Sequence, residues 1–174
     1  MRIACVLSNG YEDSEFQQPY DQFRSNGQEV VVIGAEAGQE LRGKKGTSAV
    51  KTDMGIDQAA GERFDALLIP GGASPDQLRA DPRFVNFIKP FFTDRKPVMA
   101  ICHGPQLMIA ADEYKGHRMT AWKTIQDDLK KMGADVVDEE VVVDGNLVTS
   151  RQPSDIPAFI RESLAVMEKA AAVR

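Results

Sequence analysis

A cysteine acts as a nucleophile where the chain lifts its sulfur out of the core and something favours the thiolate. The stretch Ala100-Ile101-Cys102-His103-Gly104-Pro105 meets both conditions. It has the small-x-nucleophile-x-Gly form of a nucleophile elbow, with cysteine in place of serine. A sharp turn that raises a nucleophile above a sheet edge needs small neighbours two residues before and after it, and Ala100 and Gly104 fill those places. Pro105 lacks an N–H but falls in the first helical turn, where no intrahelical partner is needed. The free N–H groups and positive dipole end of that helix favour a thiolate. His103 stands next to the sulfur as a candidate base. A buried cysteine in a strand-to-helix turn is also an ordinary small core residue, so the motif needs support from elsewhere in the chain.

Two further segments supply it. Pro70-Gly71-Gly72 ends an apolar run, and paired glycines there let backbone N–H groups approach a substrate oxygen. Gly71 and Gly72, with the His103 amide, form a candidate oxyanion hole. Tyr11-Glu12-Asp13-Ser14-Glu15 follows the first apolar run. Acidic residues at a helix start usually serve as caps and dipole partners. The functional alternative is that Glu12 faces Cys102. Two negative charges side by side repel, so such a Glu12 must hold a proton and donate it to the sulfur, which burial would allow.

The elements that must position these residues follow from hydrophobic pattern. Strand-like runs at Arg2 to Ser8, Glu29 to Ile33, Phe64 to Ile69 and Pro97 to Cys102 alternate with helical segments. That alternation predicts a mostly parallel sheet covered on both faces, an α/β sandwich. Helices are expected from Glu12 to Ser25, Gly55 to Ala60, Pro82 to Thr93, Cys102 to Ala111, Thr124 to Met132 and Ser154 to Ala171. Residues 40–53, with Gly43-Lys44-Lys45-Gly46, read as a hairpin excursion, and its basic cluster as a solvated turn. Short strands are expected at Arg118 to Ala121, Val141 to Val143 and Leu147 to Ser150. All three chemical segments then fall at carboxyl ends of parallel strands, where open α/β sheets bind ligands.

Size and composition fit this reading. The chain has 174 residues, 43% of them hydrophobic, which suits a single domain over residues 1–174. A net charge of −5 argues against nucleic acid or an anionic membrane as partner. No apolar run approaches a membrane span, and the N-terminus lacks signal-peptide features, so a cytoplasmic location is expected. Cys5, Cys102, His103 and His117 show no zinc spacing, so no metal is expected.

The chain resembles the PfpI intracellular protease family, in the superfamily of the human Parkinsonism-associated deglycase. The resemblance spans nearly the whole chain and is most specific from Ala100 to Gln106. It implies a flavodoxin-like three-layer sandwich without cofactor, related to the class I glutamine amidotransferase fold and assembled as dimers or hexamers. It implies Cys102 as nucleophile, Glu12 as its carboxyl partner, His103 as base, and Gly71, Gly72 and the His103 amide as the oxyanion pocket. In the archaeal protease a neighbouring subunit's glutamate completes a Cys-His-Glu triad. The matching residue here is Asp76, shorter by one methylene, and Trp122 replaces a pocket tyrosine.

The leading functional expectation is a stress-protective deglycase or glyoxalase acting on small reactive carbonyls or glycated substrates through Cys102. A cysteine peptidase with a Cys-His-Asp arrangement, acting on peptides, is the alternative on the same nucleophile. A redox sensor or holdase with an oxidisable Cys102 is the non-enzymatic alternative. An amidotransferase needs a downstream His-x-Glu pair, which the region around His117 lacks.

Overall fold

The computed structural model describes residues 1–173. Its centre is a seven-stranded sheet. In chain order the strands are β1 (Arg2–Val6), β2 (Glu29–Gly34), β5 (Met54–Gly55), β6 (Ala66–Ile69), β7 (Val98–Ile101), β10 (Val142–Asp144) and β11 (Leu147–Ser150), and in space they run β10-β11-β7-β6-β1-β2-β5. All neighbours are parallel except the edge pair β10 and β11. The expected mostly parallel α/β sandwich of flavodoxin-like form is what the chain adopts.

Strand alternation assigns each residue to a face. Ile3, Cys5 and Leu7 pack with Phe16 and Phe23 of α1 (Asp13–Ser25) and with Phe159 and Met167 of α7 (Ile156–Ala172). Ala4 and Val6 face the opposite layer. That layer is built from α2 (Ile56–Ala59), α3 (Ser74–Arg79), α4 (Pro82–Thr93), α5 (Pro105–Ala110) and α6 (Lys123–Lys131).

The expected hairpin forms as the antiparallel pair β3 (Glu40–Arg42) and β4 (Ala49–Lys51). Helix α3 was not anticipated. Its start is bracketed by Ser74, whose Oγ accepts the Ser8 N–H at 2.9 Å, a long-range bond invisible to local pattern. The two-residue strands β8 (Arg118–Met119) and β9 (Asp135–Val136) pair with each other, so the segment at Arg118 forms its own small ladder beside the main sheet.

From β1 the chain moves outward to β2 on one side, then returns through β6 and β7 on the other. The reversal between β1 and β6 is the topological switch point, and ligand crevices open there at the carboxyl ends of the strands. The segments after β1, β6 and β7 carry Tyr11 to Glu15 at the start of α1, Pro70 to Ala73 and Cys102 to Gly104.

Candidate active site

Cys102 sits immediately after β7 with φ of 63°, in the left-handed region that costs a non-glycine residue roughly 1–2 kcal/mol. The surrounding structure holds it there. Its N–H donates to Ser150 O at 2.9 Å and its C=O accepts the Trp122 N–H at 2.9 Å. Gly104 completes the elbow, because a Cβ there would lie 2.5 Å from Ile69 O. The cysteine is 6% exposed. A positive-φ cysteine clamped on both sides of its peptide is the strained turn that the elbow motif requires.

His103 and Trp122 close one side of the site. A ring nitrogen of His103, Nδ1, lies 3.3 Å from Cys102 Sγ. The imidazole stacks on Trp122 with centroids 5.9 Å apart and planes inclined by 25°. Burial, helped by the Lys44 charge, holds the imidazole below its ordinary value despite the opposing pull of Asp76. Neutral imidazole beside the sulfur can accept its proton. The backbone N–H of His103 also favours the thiolate.

The carboxyl partner of Cys102 is Glu15, not Glu12. Glu12 caps α1: its Oε2 accepts the Ser14 N–H at 2.9 Å and the Ser14 hydroxyl, and its Oε1 pairs with Lys45 Nζ at 2.7 Å. Burial opposes its ionisation, but the bonds from Lys45 and Ser14 prevail and hold it below the usual carboxylate range. It is a charged cap, as helix-start acids commonly are. Glu15 lies fully buried, with Cys102 beside it: a Cβ on Gly71 would sit 2.4 Å from Glu15 Oε1 and 2.8 Å from the Cys102 Cβ. Burial first, and the Glu12 charge second, push Glu15 up to about 8. It is therefore a carboxylic acid at neutral pH and can donate to the sulfur. Burial and Glu15 in turn push the Cys102 thiol up. The signal available in the sequence was position: Glu15 sits beside Phe16 and four residues before Pro19, on the stripe of α1 that is buried.

Gly71 also has a different task from the one expected. Its N–H donates to Glu15 Oε1 at 3.1 Å and its C=O accepts the Glu12 N–H at 3.1 Å. It is a positioning residue for Glu15 and has no amide left for an oxyanion. The Gly72 amide has no acceptor among the described residues.

Asp76, at the exposed start of α3, pairs with Arg79 at 3.5 Å and makes no hydrogen bond to His103 within the chain. The arrangement assembled inside one chain is thus Cys-His-Glu15, without Asp76. Among the described residues no group of three or more His, Cys, Asp or Glu side chains is placed to hold a metal ion, and no helix is long and apolar enough to cross a membrane.

A flavodoxin-like sheet with an elbow cysteine and a buried carboxyl at its switch point defines a recognisable class of cysteine-bearing α/β proteins. The chain belongs to the DJ-1/PfpI family, which it matches over residues 1–166. It is 56% identical to General stress protein 18 of Bacillus subtilis (strain 168) over 169 residues, covering 97% of this chain and 98% of that protein. It is 52% identical to Protein/nucleic acid deglycase 2 of Escherichia coli (strain K12) over 167 residues, covering 95% and 97%. Among solved structures, a two-domain protein of Anabaena variabilis, with DJ-1/ThiJ/PfpI-like and ferritin-like domains, superposes with a TM-score of 0.90 at 39% identity. That match covers 94% of this chain and 47% of the larger one.

Proposed function

We propose that the chain is a cysteine-dependent hydrolase that removes reactive-carbonyl adducts, with Cys102 as nucleophile, His103 as proton acceptor and Glu15 as proton donor. The observation that supports this most directly is the Cys102 elbow beside the buried carboxyl of Glu15. His103 takes the thiol proton as the sulfur adds to a carbonyl carbon. The developing oxyanion meets the free amide of Gly72 and that of His103. For methylglyoxal the addition gives a hemithioacetal. Moving its C1 hydrogen to C2 as a proton, through an enediol, gives a lactoyl thioester, and water then releases lactate and restores the thiol. No external oxidant or reductant is consumed. The relationship to a named deglycase supports the same chemistry on glycated amines or thiols.

Expelling a peptide amine needs a well-aimed acid, and Asp76 is not aimed at His103 within the chain. The carbonyl reading is therefore favoured over the peptidase. The test is lactate release from methylglyoxal and from methylglyoxal-treated amino acids, by the parent, Cys102→Ala and Asp76→Ala, alongside cleavage of an unstructured peptide. Cys102→Ala is expected to abolish lactate release and Asp76→Ala to reduce it by about threefold or less. Because buffer amines exchange methylglyoxal, only Cys102-dependent lactate counts. Ready peptide cleavage that is lost in Asp76→Ala, with no lactate formed, would establish the peptidase instead.

A further inference from the structure

The end of β3 and the turn after it carry three cations, and they are not equivalent. Arg42 is paired with Glu40 at 2.8 Å and Lys45 with Glu12 at 2.7 Å. Lys44 is exposed and makes no ion pair among the described residues. The backbone beneath it is fixed. The Lys44 N–H donates to Tyr11 O at 2.9 Å, the Gly10 N–H donates to Arg42 O at 2.9 Å, and Gly43 bridges Tyr11. Asp13 anchors the rest of the turn, since its carboxylate accepts the N–H groups of Lys45, Thr47 and Ser48 and the Thr47 hydroxyl at 2.9–3.0 Å. On its other side Tyr11 bridges Gly72. Gly71 in turn lies so close to Cys102 that a Cβ on it would sit 2.8 Å from that of the cysteine. The turn therefore stands one bridge away from the floor of the site.

We propose that Lys44 is a specificity-determining residue at the mouth of the Cys102 pocket, selecting reactive-carbonyl adducts that carry a carboxylate or phosphate beside the reacting carbon. This rests on the carbonyl-hydrolase reading. Consistent with that placement, the Lys44 charge acts on His103 directly after burial, and on Cys102 and Glu15 after burial and nearer groups. A charge that reaches all three reaches a substrate held between them. The other cations of the turn are neutralised by carboxylates, so Lys44 is the one with charge to offer. The chain as a whole carries −5, so its long-range field repels anions and a local cation is what admits them. A neutral carbonyl such as methylglyoxal makes no use of this ammonium.

The decisive measurement compares alkylation of Cys102 by iodoacetate and by iodoacetamide, followed by mass spectrometry of the Cys102 peptide. The same thiolate attacks both reagents, so the ratio of rates cancels any change in thiolate fraction and reports local potential. One unit charge several ångströms away in a half-solvated mouth changes the ratio by about fivefold. The ratio is expected to fall by that factor in Lys44→Met, to fall further in Lys44→Glu, and to return in Lys44→Arg. The contrast is expected to shrink in about 1 M salt. Turnover is then read on the methylglyoxal hemithioacetals of N-acetylcysteine, which is anionic, and of N-acetylcysteine amide, which is neutral. Their kcat/KM ratio is expected to fall in Lys44→Met by a similar factor. An alkylation ratio unchanged in both Lys44→Met and Lys44→Glu overturns the proposal, as does an altered alkylation ratio with an unaltered turnover ratio. If the alkylation ratio falls as expected but neither adduct is consumed in a Cys102-dependent way, the hydrolase reading fails while the anion selectivity of the mouth stands.

Discussion

The Gly71 N–H donates to Glu15 Oε1 at 3.1 Å, and this bond fixes the one carboxyl group that faces Cys102. The loop after β6 thus orients a side chain from α1 toward a sulfur on the turn after β7. Three segments distant in sequence meet at the switch point of the sheet, and each is held by backbone hydrogen bonds.

The protonation of Glu15 should be visible in stability. Burial raises it from an ordinary 4.5 to about 8. The stability contributed by its bound proton is fully present below about pH 4.5 and is lost as pH rises through about 8. Across that window the slope approaches about 1.4 kcal/mol per pH unit. Glu15→Gln keeps a neutral side chain at every pH, so its urea midpoint should decline less than the parent's between pH 5 and 8. Parallel profiles would show that Glu15 titrates as an ordinary glutamate.

The two cysteines should differ sharply in reactivity. Cys5 is fully buried inside β1, and burial pushes its thiol far up, with the Asp53 charge adding to the effect. Burial raises the Cys102 thiol as well, so the difference rests on access and a base: Cys102 keeps 6% exposure and has a proton acceptor 3.3 Å away. Iodoacetamide should label Cys102 at least about tenfold faster than Cys5 in the folded protein. Equal rates would remove Cys102 from its proposed role.

Gly71→Ala should damage both fold and site. The added Cβ would lie 2.4 Å from Glu15 Oε1 and 2.9 Å from Ile101 O. The second of these is backbone and cannot swing aside. A loss of about 1–3 kcal/mol in urea unfolding is expected from such overpacking, together with an altered rate of Cys102 alkylation as Glu15 is displaced. Unchanged stability would mean that the β6 loop shifts freely, contrary to its bonds with Glu12 and Glu15.

Asp13→Ala should release the turn that carries Lys44. It strips the acceptor from the amides of Lys45, Thr47 and Ser48. At roughly 1 kcal/mol per hydrogen bond, a destabilisation of about 2–4 kcal/mol is expected. Hydrogen exchange should accelerate at those three amides and leave β7 unchanged. Uniform acceleration across the chain would show that Asp13 supports global stability without a local hold on the turn.

The order of residues along the chain suffices for the sheet and for the elbow turn at Cys102. Apolar runs bounded by glycine and proline gave the strands, and Ala100 and Gly104 around Cys102 gave the elbow, because both depend on sterics within a few residues. The strand ends that carry the chemistry followed from the same alternation. Choosing between Glu12 and Glu15 needed packing. Both stand within one turn at the start of α1, so local pattern treats them alike. The docking of α1 against β1 and α7 turns Glu15 inward and leaves Glu12 to cap its own helix and meet Lys45. The same holds for Gly71, whose amide is bound by a side chain 56 positions earlier. It holds as well for Lys44, which reads as a solvated turn until Tyr11 and Asp13 seat it at the site. Long-range hydrogen bonds and burial carry these assignments, and neither is encoded in the spacing of nearby residues.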